Sequence, residues 1–160
     1  MKLTTFTDYS LRVLIYLAAV PGQRATIAQI AQAFDVSENH LVKVVHFLGK
    51  QGWLANVRGK GGGLELGELP EKIRVGQVVR AAEGGDVVAE CFGESGGDCH
   101  IAPNCRLRGV LGEAVTAFYS VLDRYTVEDL VNNRNQLARM LFIDRPAQPG
   151  KGARRPGGLA

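Results

Sequence analysis

The chain has 160 residues, with 19 Lys or Arg against 16 Asp or Glu, 46% hydrophobic residues and 22% charged ones. That length and balance suit one soluble domain, or a small domain with an added interaction helix. No run approaches the about 18 apolar residues of a membrane span. The 3 cysteines crowd into one segment, which argues against a secreted disulfide framework and for a metal or redox site in a reducing cytoplasm.

The net charge of +3 hides a division. Residues 1–75 carry 9 basic against 6 acidic side chains, residues 76–144 carry 6 against 10, and residues 145–160 carry 4 basic and no acidic ones. A basic N-terminal half beside an acidic middle suits a surface that meets polyanions.

Met1-Lys2 followed by the apolar stretch 13–20 faintly resembles a leader peptide. Asp8 and Arg12 interrupt its lead-in, and residues 7–20 read better as an amphipathic helix. Leu11, Leu14, Ile15 and Ala18 recur at helical spacing, and Pro21-Gly22 ends the run. Asp8 and Arg12 lie four apart and therefore on one face. Asp8 reads as a first-turn acid favoured by the helix dipole, with a ligand role as the alternative.

Thr26-x-x-Gln29 is a capping box that starts a second helix, with Ile27, Ile30, Ala31 and Phe34 on one apolar face. After Asp35-Val36, Ser37 caps a third helix over residues 38–51, buried through Leu41, Val44, Val45 and Leu48. Its free face offers Asn39, His40, Lys43, His46 and Lys50. Two short helices joined by a tight turn, the second basic on its free face, make a helix-turn-helix. Thr26, Ser37, Asn39, His40 and Lys43 are the residues it would turn towards DNA bases and phosphates.

Trp53 opens an apolar run that reaches the Gly-rich turn 58–63, and a second apolar run starts at Leu64. This predicts a β-hairpin with a basic tip, placed as the wing of a winged helix. Arg58, Lys60 and Gly61 would meet phosphates or the minor groove, because a Gly-rich backbone can lie close to the sugar–phosphate chain. A nucleotide-binding loop would instead run from a strand into a helix N-terminus.

Residues 73–82 predict a fourth helix. A longer one follows over about 106–125, with Leu107, Val110, Leu111, Ala114, Phe118, Val121 and Leu122 apolar at near three-four spacing. Small Ala114 and Ala117 permit close approach, so this helix is expected to join two copies rather than only pack on its own domain. Thr126-x-x-Asp129 caps a short helix over 127–131, and residues 135–142 form a last turn or two. From residue 145 on, Pro, Gly and Arg dominate and a disordered basic tail is expected.

The cysteines fall at Cys91, Cys99 and Cys105, spaced C-x7-C-x5-C in a Gly-rich segment. Structural zinc favours paired C-x(2–4)-C knuckles, which are missing here, and a thioredoxin-like site needs C-x-x-C. Metal-free thiols and an iron–sulfur cluster both remain. Thiolates on long loops can wrap a cluster, with glycines supplying unusual backbone angles. Three thiolates are one ligand short of four, and His100 reads as a surface residue rather than the fourth.

The segment D-Y-S-L-R-V-L-I-Y-L-A, the helix-turn-helix, the R-G-x-G-G-G wing and a three-cysteine loop before a long helix occur here together. In that combination residues 1–143 resemble the NsrR-type iron–sulfur winged-helix repressors, nitric-oxide sensors related to the cluster-biogenesis regulator IscR. The resemblance implies that Cys91, Cys99 and Cys105 carry an iron–sulfur cluster, 4Fe-4S in preference to 2Fe-2S. Asp8 matches a position where a carboxylate is recruited from the partner subunit, and Arg12 a nearby residue that helps hold it. IscR-type relatives place a histidine ligand where this chain has Leu107. The seven residues between the first two cysteines are more than is usual in that family.

The sequence therefore predicts a mainly α fold with one β-hairpin. A winged helix-turn-helix domain over 1–83 is followed by a cysteine loop and dimerisation helix over 84–143 and a basic tail over 144–160. The implied function is a cytoplasmic, homodimeric, non-enzymatic repressor on a roughly palindromic DNA operator, with no membrane partner. By resemblance, nitric oxide attacks the cluster, abolishes DNA binding and derepresses nitric-oxide stress genes. The rivals are a winged-helix regulator reading cluster, iron, zinc or thiol status, and a small thiol or iron–sulfur redox enzyme.

Overall fold

The computed structural model describes residues 2–85, 92, 100–101 and 104–142. Cys91, Cys99 and the tail from residue 144 lie outside the described residues. In chain order the elements are α1 (Thr5–Ala19), α2 (Ile27–Phe34), α3 (Glu38–Lys50), β1 (Leu54–Val57), β2 (Gly63–Leu66), α4 (Val75–Glu83), α5 (Arg106–Leu122), α6 (Val127–Leu130) and α7 (Arg134–Phe142). Among the described residues no helix is long and apolar enough to cross a membrane.

α1 begins two residues before the expected start because Thr4 caps it, its hydroxyl accepting from the Thr7 N–H at 3.2 Å. An oxygen there satisfies one of the first-turn N–H groups that no helical carbonyl reaches. The buried stripe centres on Val13, Leu14, Leu17 and Ala18, while Leu11 and Ile15 sit at its edge. Ser10 is buried because its hydroxyl donates back to the Phe6 carbonyl at 2.8 Å.

The helix-turn-helix forms as the local chemistry dictates. Thr26 and Gln29 close both halves of a capping box on α2. Asp35 ends α2 at φ 54°, a left-handed conformation that a short polar side chain tolerates better than most. Ser37 occupies the N-cap of α3, but its hydroxyl makes no capping bond. Its carbonyl takes the first helical bonds instead, from His40 N at 3.1 Å and Leu41 N at 3.3 Å. The position was legible, the side-chain bond was not, and the hydroxyl stays available to an outside partner.

β1 and β2 pair antiparallel, with Leu54 opposite Leu66 and Val57 opposite Gly63. Gly61 in the connecting turn has φ 78°, and a Cβ on Gly62 would lie 2.3 Å from the Val57 carbonyl oxygen, so the tip needs glycine. An isolated bridge joins Leu64 to Ala25, with Leu64 N donating to Ala25 O at 2.7 Å and Ala25 N returning to Leu64 O at 3.1 Å. The wing is thereby sewn to the residue before α2's cap.

One core gathers α1, α2, α3, the wing root and the later helices: Leu14, Ile30, Leu41, Leu48, Ile73 and Val127 are all nearly or fully buried. Burying a Leu, Ile or Val side chain of this kind contributes about 1.5–3 kcal/mol. α4 starts two residues later than expected, yet Ile73 keeps its core place because its carbonyl accepts from Val127 N at 2.9 Å. A smaller cluster of Val75, Val79, Val115 and Tyr119 fixes α5 against α4. Arg80 clamps that contact, reaching both carboxylate oxygens of Asp123 at 2.9 and 2.6 Å and lying 4.3 Å over the Tyr119 ring. α7 is a full helix rather than a turn or two, anchored on α1 by Leu137, Leu141 and an Arg134–Ala18 carbonyl bond.

Candidate nucleic-acid interface and cofactor site

α3 buries Leu41, Val44, Val45 and Leu48, so helical periodicity turns Asn39, His40, Lys43 and His46 to solvent. The His40 ring stands 6.3 Å from the ring of Tyr9 on α1. At its C-terminal end α3 meets the wing through edge-on contact of Phe47 with Trp53 at 6.3 Å, and Phe47 in turn meets Phe6 at 5.1 Å. Arg58, Lys60 and Gly61 are exposed at the wing tip.

Several cations of the chain are neutralised by an acid at salt-bridge distance: Arg24 by Glu65, Lys72 by Glu68, Arg80 by Asp123 and Arg134 by Glu128. Lys43, Arg58 and Lys60 pair with no acid among the described residues. A free, exposed cation on a rigid element retains its full attraction for an external phosphate.

Thr26 is exposed, but its hydroxyl is committed to the capping box, accepting from Gln29 N at 3.2 Å and donating to Gln29 Oε1 at 3.3 Å. Arg24 escaped the sequence analysis. Its Nη1 donates to the Gly61 carbonyl at 3.2 Å while its Nε holds Glu65 at 2.8 Å, so one side chain braces the wing tip against the start of α2. The partner carbonyl lies 37 residues away, and no local pattern announces such a bond.

On α1, Asp8 and Arg12 share a face as their spacing requires and pair at 2.8 Å. The Asp8 side chain retains 46% of its exposure, so a carboxylate oriented by its own guanidinium faces outward. The Arg12 guanidinium lies 5.7 Å over the Phe34 ring and 5.9 Å over that of Tyr9, which fixes it further.

Cys105 is half-buried at the N-cap of α5, where its side chain caps nothing. Helix N-termini favour negative ligands, because backbone N–H groups and the dipole point at them. Phe92, next to Cys91, packs by Gly112 and lies 5.9 Å from the Arg108 guanidinium. Both ends of the cysteine segment therefore return to the first turns of α5. His100 and Leu107 are exposed. Among the described residues no group of three or more His, Cys, Asp or Glu gathers as a metal site.

Glu83 is the last residue of α4, just ahead of the cysteine segment, and it grips the start of α1. Its Oε1 accepts from the Thr4 N–H at 2.8 Å, the Thr4 hydroxyl at 3.1 Å and the buried Thr7 hydroxyl. Burial pushes the Glu83 carboxyl up, but the bonds from Thr7 and Thr4 outweigh it and hold it below the usual glutamate value. The root of the cysteine segment and the helix carrying Asp8 are thus joined by one carboxylate.

α5 divides its apolar residues between two faces. Val115 and Tyr119 are buried against α4, with Phe118 and Leu122 beside them. Leu107, Val110 and Val121 stay 62%, 60% and 43% exposed, in line with exposed Ala114 and Ala117. The exposed set follows three-four spacing, the pattern of a helix–helix seam.

Residues 3–133 match the profile of the Rrf2 family, described as iron-dependent transcriptional regulators. The chain is 49% identical over 142 residues to the HTH-type transcriptional regulator NsrR of Bacillus subtilis strain 168, covering 88% of this chain and 97% of that one. The structure of CymR, the global cysteine regulator of B. subtilis, superposes with a TM-score of 0.68 at 31% identity, covering 83% of this chain and 98% of that one. T. potens IscR shares the fold at a TM-score of 0.66 and 23% identity, over 93% and 94% of the two chains. These relatives are regulators rather than enzymes, and the winged-helix architecture matches theirs. The chain belongs to the Rrf2 family of iron-dependent transcriptional regulators.

Proposed function

We propose that the protein is a homodimeric repressor that binds a roughly palindromic DNA operator and releases it when nitric oxide reacts at an iron–sulfur cluster. The observation that carries the DNA-binding half is the set of exposed, acid-free cations, Lys43 on α3 and Arg58 and Lys60 on the wing, on elements braced by Arg24 and Trp53. α3 enters the major groove with Ser37, Asn39, His40 and Lys43 towards bases and phosphates, and the wing follows the backbone. The exposed seam Leu107–Val110–Ala114–Ala117–Val121 joins two copies and so sets the spacing of the two recognition helices.

Cys91, Cys99 and Cys105 would hold the cluster, and Asp8 of the second copy would supply the oxygen donor. The fit rests on Cys105 having no other bond at a helix N-terminus, on Phe92 returning the segment to α5, and on Asp8 facing outward. When bound, the cluster supplies iron that reacts with nitric oxide. Asp8 contributes an anionic oxygen, a weaker donor than thiolate and so the more exchangeable tie. Arg12 orients that oxygen. Glu83 transmits the position of the segment's root to α1, and α1 carries it to α3 through Tyr9–His40 and Phe6–Phe47. A tie between subunits that is made or broken biases the relative pose of the two recognition helices.

The test is anaerobic purification followed by absorption and native mass spectra, then titration with nitric oxide while DNA binding is followed by gel shift. A coloured dimer containing iron and sulfide that binds its own upstream DNA and loses that affinity on titration is expected. Colourless zinc protein, or a coloured one whose DNA affinity ignores nitric oxide, would overturn the sensing role. In the same titration Asp8→Ala should stay folded but change the visible spectrum or the reaction rate. An unchanged spectrum and rate reject the ligand role.

A further inference from the structure

The basic residues beyond α7 have no part in the site described above. Residues 145–160 carry Arg145, Lys151, Arg154 and Arg155 with no acid, and the family profile ends before them, at residue 133. Where the chain leaves the described residues is informative. Phe142, the last residue of α7, packs its ring 4.9 Å from that of Tyr16 and shares a small cavity with Arg24, Ala25 and Gln29. Those three residues flank the start of α2. Gln29 closes the Thr26 capping box, Ala25 is bridged to Leu64 of the wing, and Arg24 holds the Gly61 carbonyl at the wing tip. The last ordered contact of α7 therefore lies beside the wing root and the first turn of α2, the side of the fold that the preceding section turns towards DNA.

We propose that residues 145–160 form a second DNA-binding element, an arm whose four cations contact the phosphate backbone flanking each half-site. This rests on the repressor reading and extends it. At about 3.3–3.6 Å per residue, three residues bring Arg145 within about 10 Å of Phe142, and thirteen let Arg155 reach about 45 Å along the duplex. Duplex DNA offers one negative charge per about 1.7 Å of axis, so an arm that long always has phosphates within reach. The arm reads no base edges: it adds affinity and salt dependence and leaves sequence preference to α3. Arginines, with planar forked donors, suit phosphate better than a uniform lysine run. The competing destination is the chain's own acidic section, residues 76–144 with 10 acids against 6 cations, where the arm would compete with DNA instead of assisting it.

The experiment compares the full holoprotein with two variants, one ending at residue 144 and one carrying Arg145→Gln, Lys151→Gln, Arg154→Gln and Arg155→Gln. Each is prepared anaerobically, and affinity is measured across a salt series for its own upstream DNA and for a short random-sequence duplex. Each lost phosphate contact removes about 0.9 from the slope of log affinity against log salt. Loss of even one contact per subunit thus makes the dimer's slope shallower by about 2, and equally for both duplexes. Both variants should show this, with the ratio of specific to random affinity unchanged. Unchanged slopes overturn the arm. Tighter binding by the variants also overturns it and places the tail on the acidic section. Should the full holoprotein bind neither duplex at any salt, the repressor reading falls and the arm with it. Normal binding by the full chain with unchanged variants sinks the arm alone.

Discussion

Glu83 shows how much one side chain can join. Its carboxylate takes bonds from Thr4 and Thr7, residues that cap and bury the first turn of α1, and it does so from the last position of α4. Its folded pKa is lowered, so the sign of its contribution is fixed. Stabilisation is fully present above the unfolded glutamate value of about 4.3 and is lost as pH falls through the lower native value. Glu83→Gln keeps the shape but removes the charge, and hydrogen bonds to ionised acceptors are stronger than those to neutral ones. We expect a loss of about 1 kcal/mol at neutral pH, seen in chemical denaturation, that shrinks in acid below about pH 4. A variant as stable as the parent across that range would show that the three bonds merely exchange with water.

At the scale of elements, α5 carries the clearest consequence. Its inner face of Val115 and Tyr119 is satisfied by α4, and its outer seam of Leu107, Val110 and Val121 is left in solvent. Val110→Asp places a charge at the middle of that seam, where pairing would bury it at a cost of several kcal/mol. The expected outcome is a monomer in sedimentation with the far-UV spectrum of the parent and weakened operator binding. A variant that sediments as a dimer would move the interface off α5. Neither face was separable in the sequence, because apolar residues at 110, 111, 114, 115, 118 and 122 surround most of the helix. Periodicity says that such a helix is buried on more than one side and leaves open which side belongs to which partner.

For the whole molecule, what the sequence disclosed divides by distance along the chain. The capping boxes at Thr26–Gln29 and Thr126–Asp129, the left-handed turn before α3 and the glycine wing tip all follow from chemistry within a few residues. The Rrf2 fold was legible from their order. Arg24 on Gly61, Ala25 on Leu64 and Glu83 on Thr4 join residues 37, 39 and 79 positions apart and carry no local signature. Of the candidate site, the exposed faces of α3 and the wing were legible because amphipathic helices and hairpins declare their outer sides. The braces behind those faces were not, and neither was the hydroxyl of Ser37, whose place at a cap did not fix its bond.

The chain has 1 tryptophan, and the fold sets it at the joint where α3 hands over to the wing. Trp53 donates its N–H to Leu48 of α3, accepts from Gly67 beyond β2 at 3.0 Å, and leans edge-on against Phe47. The protein is consequently born with a single optical probe at its hinge point, needing no label. Adding duplex to the apoprotein and the holoprotein should shift the indole emission only in the form that binds. A flat trace at saturating duplex would mean that helix and wing dock as one rigid jaw, with the adjustment between operator-bound and free states made wholly between the two copies.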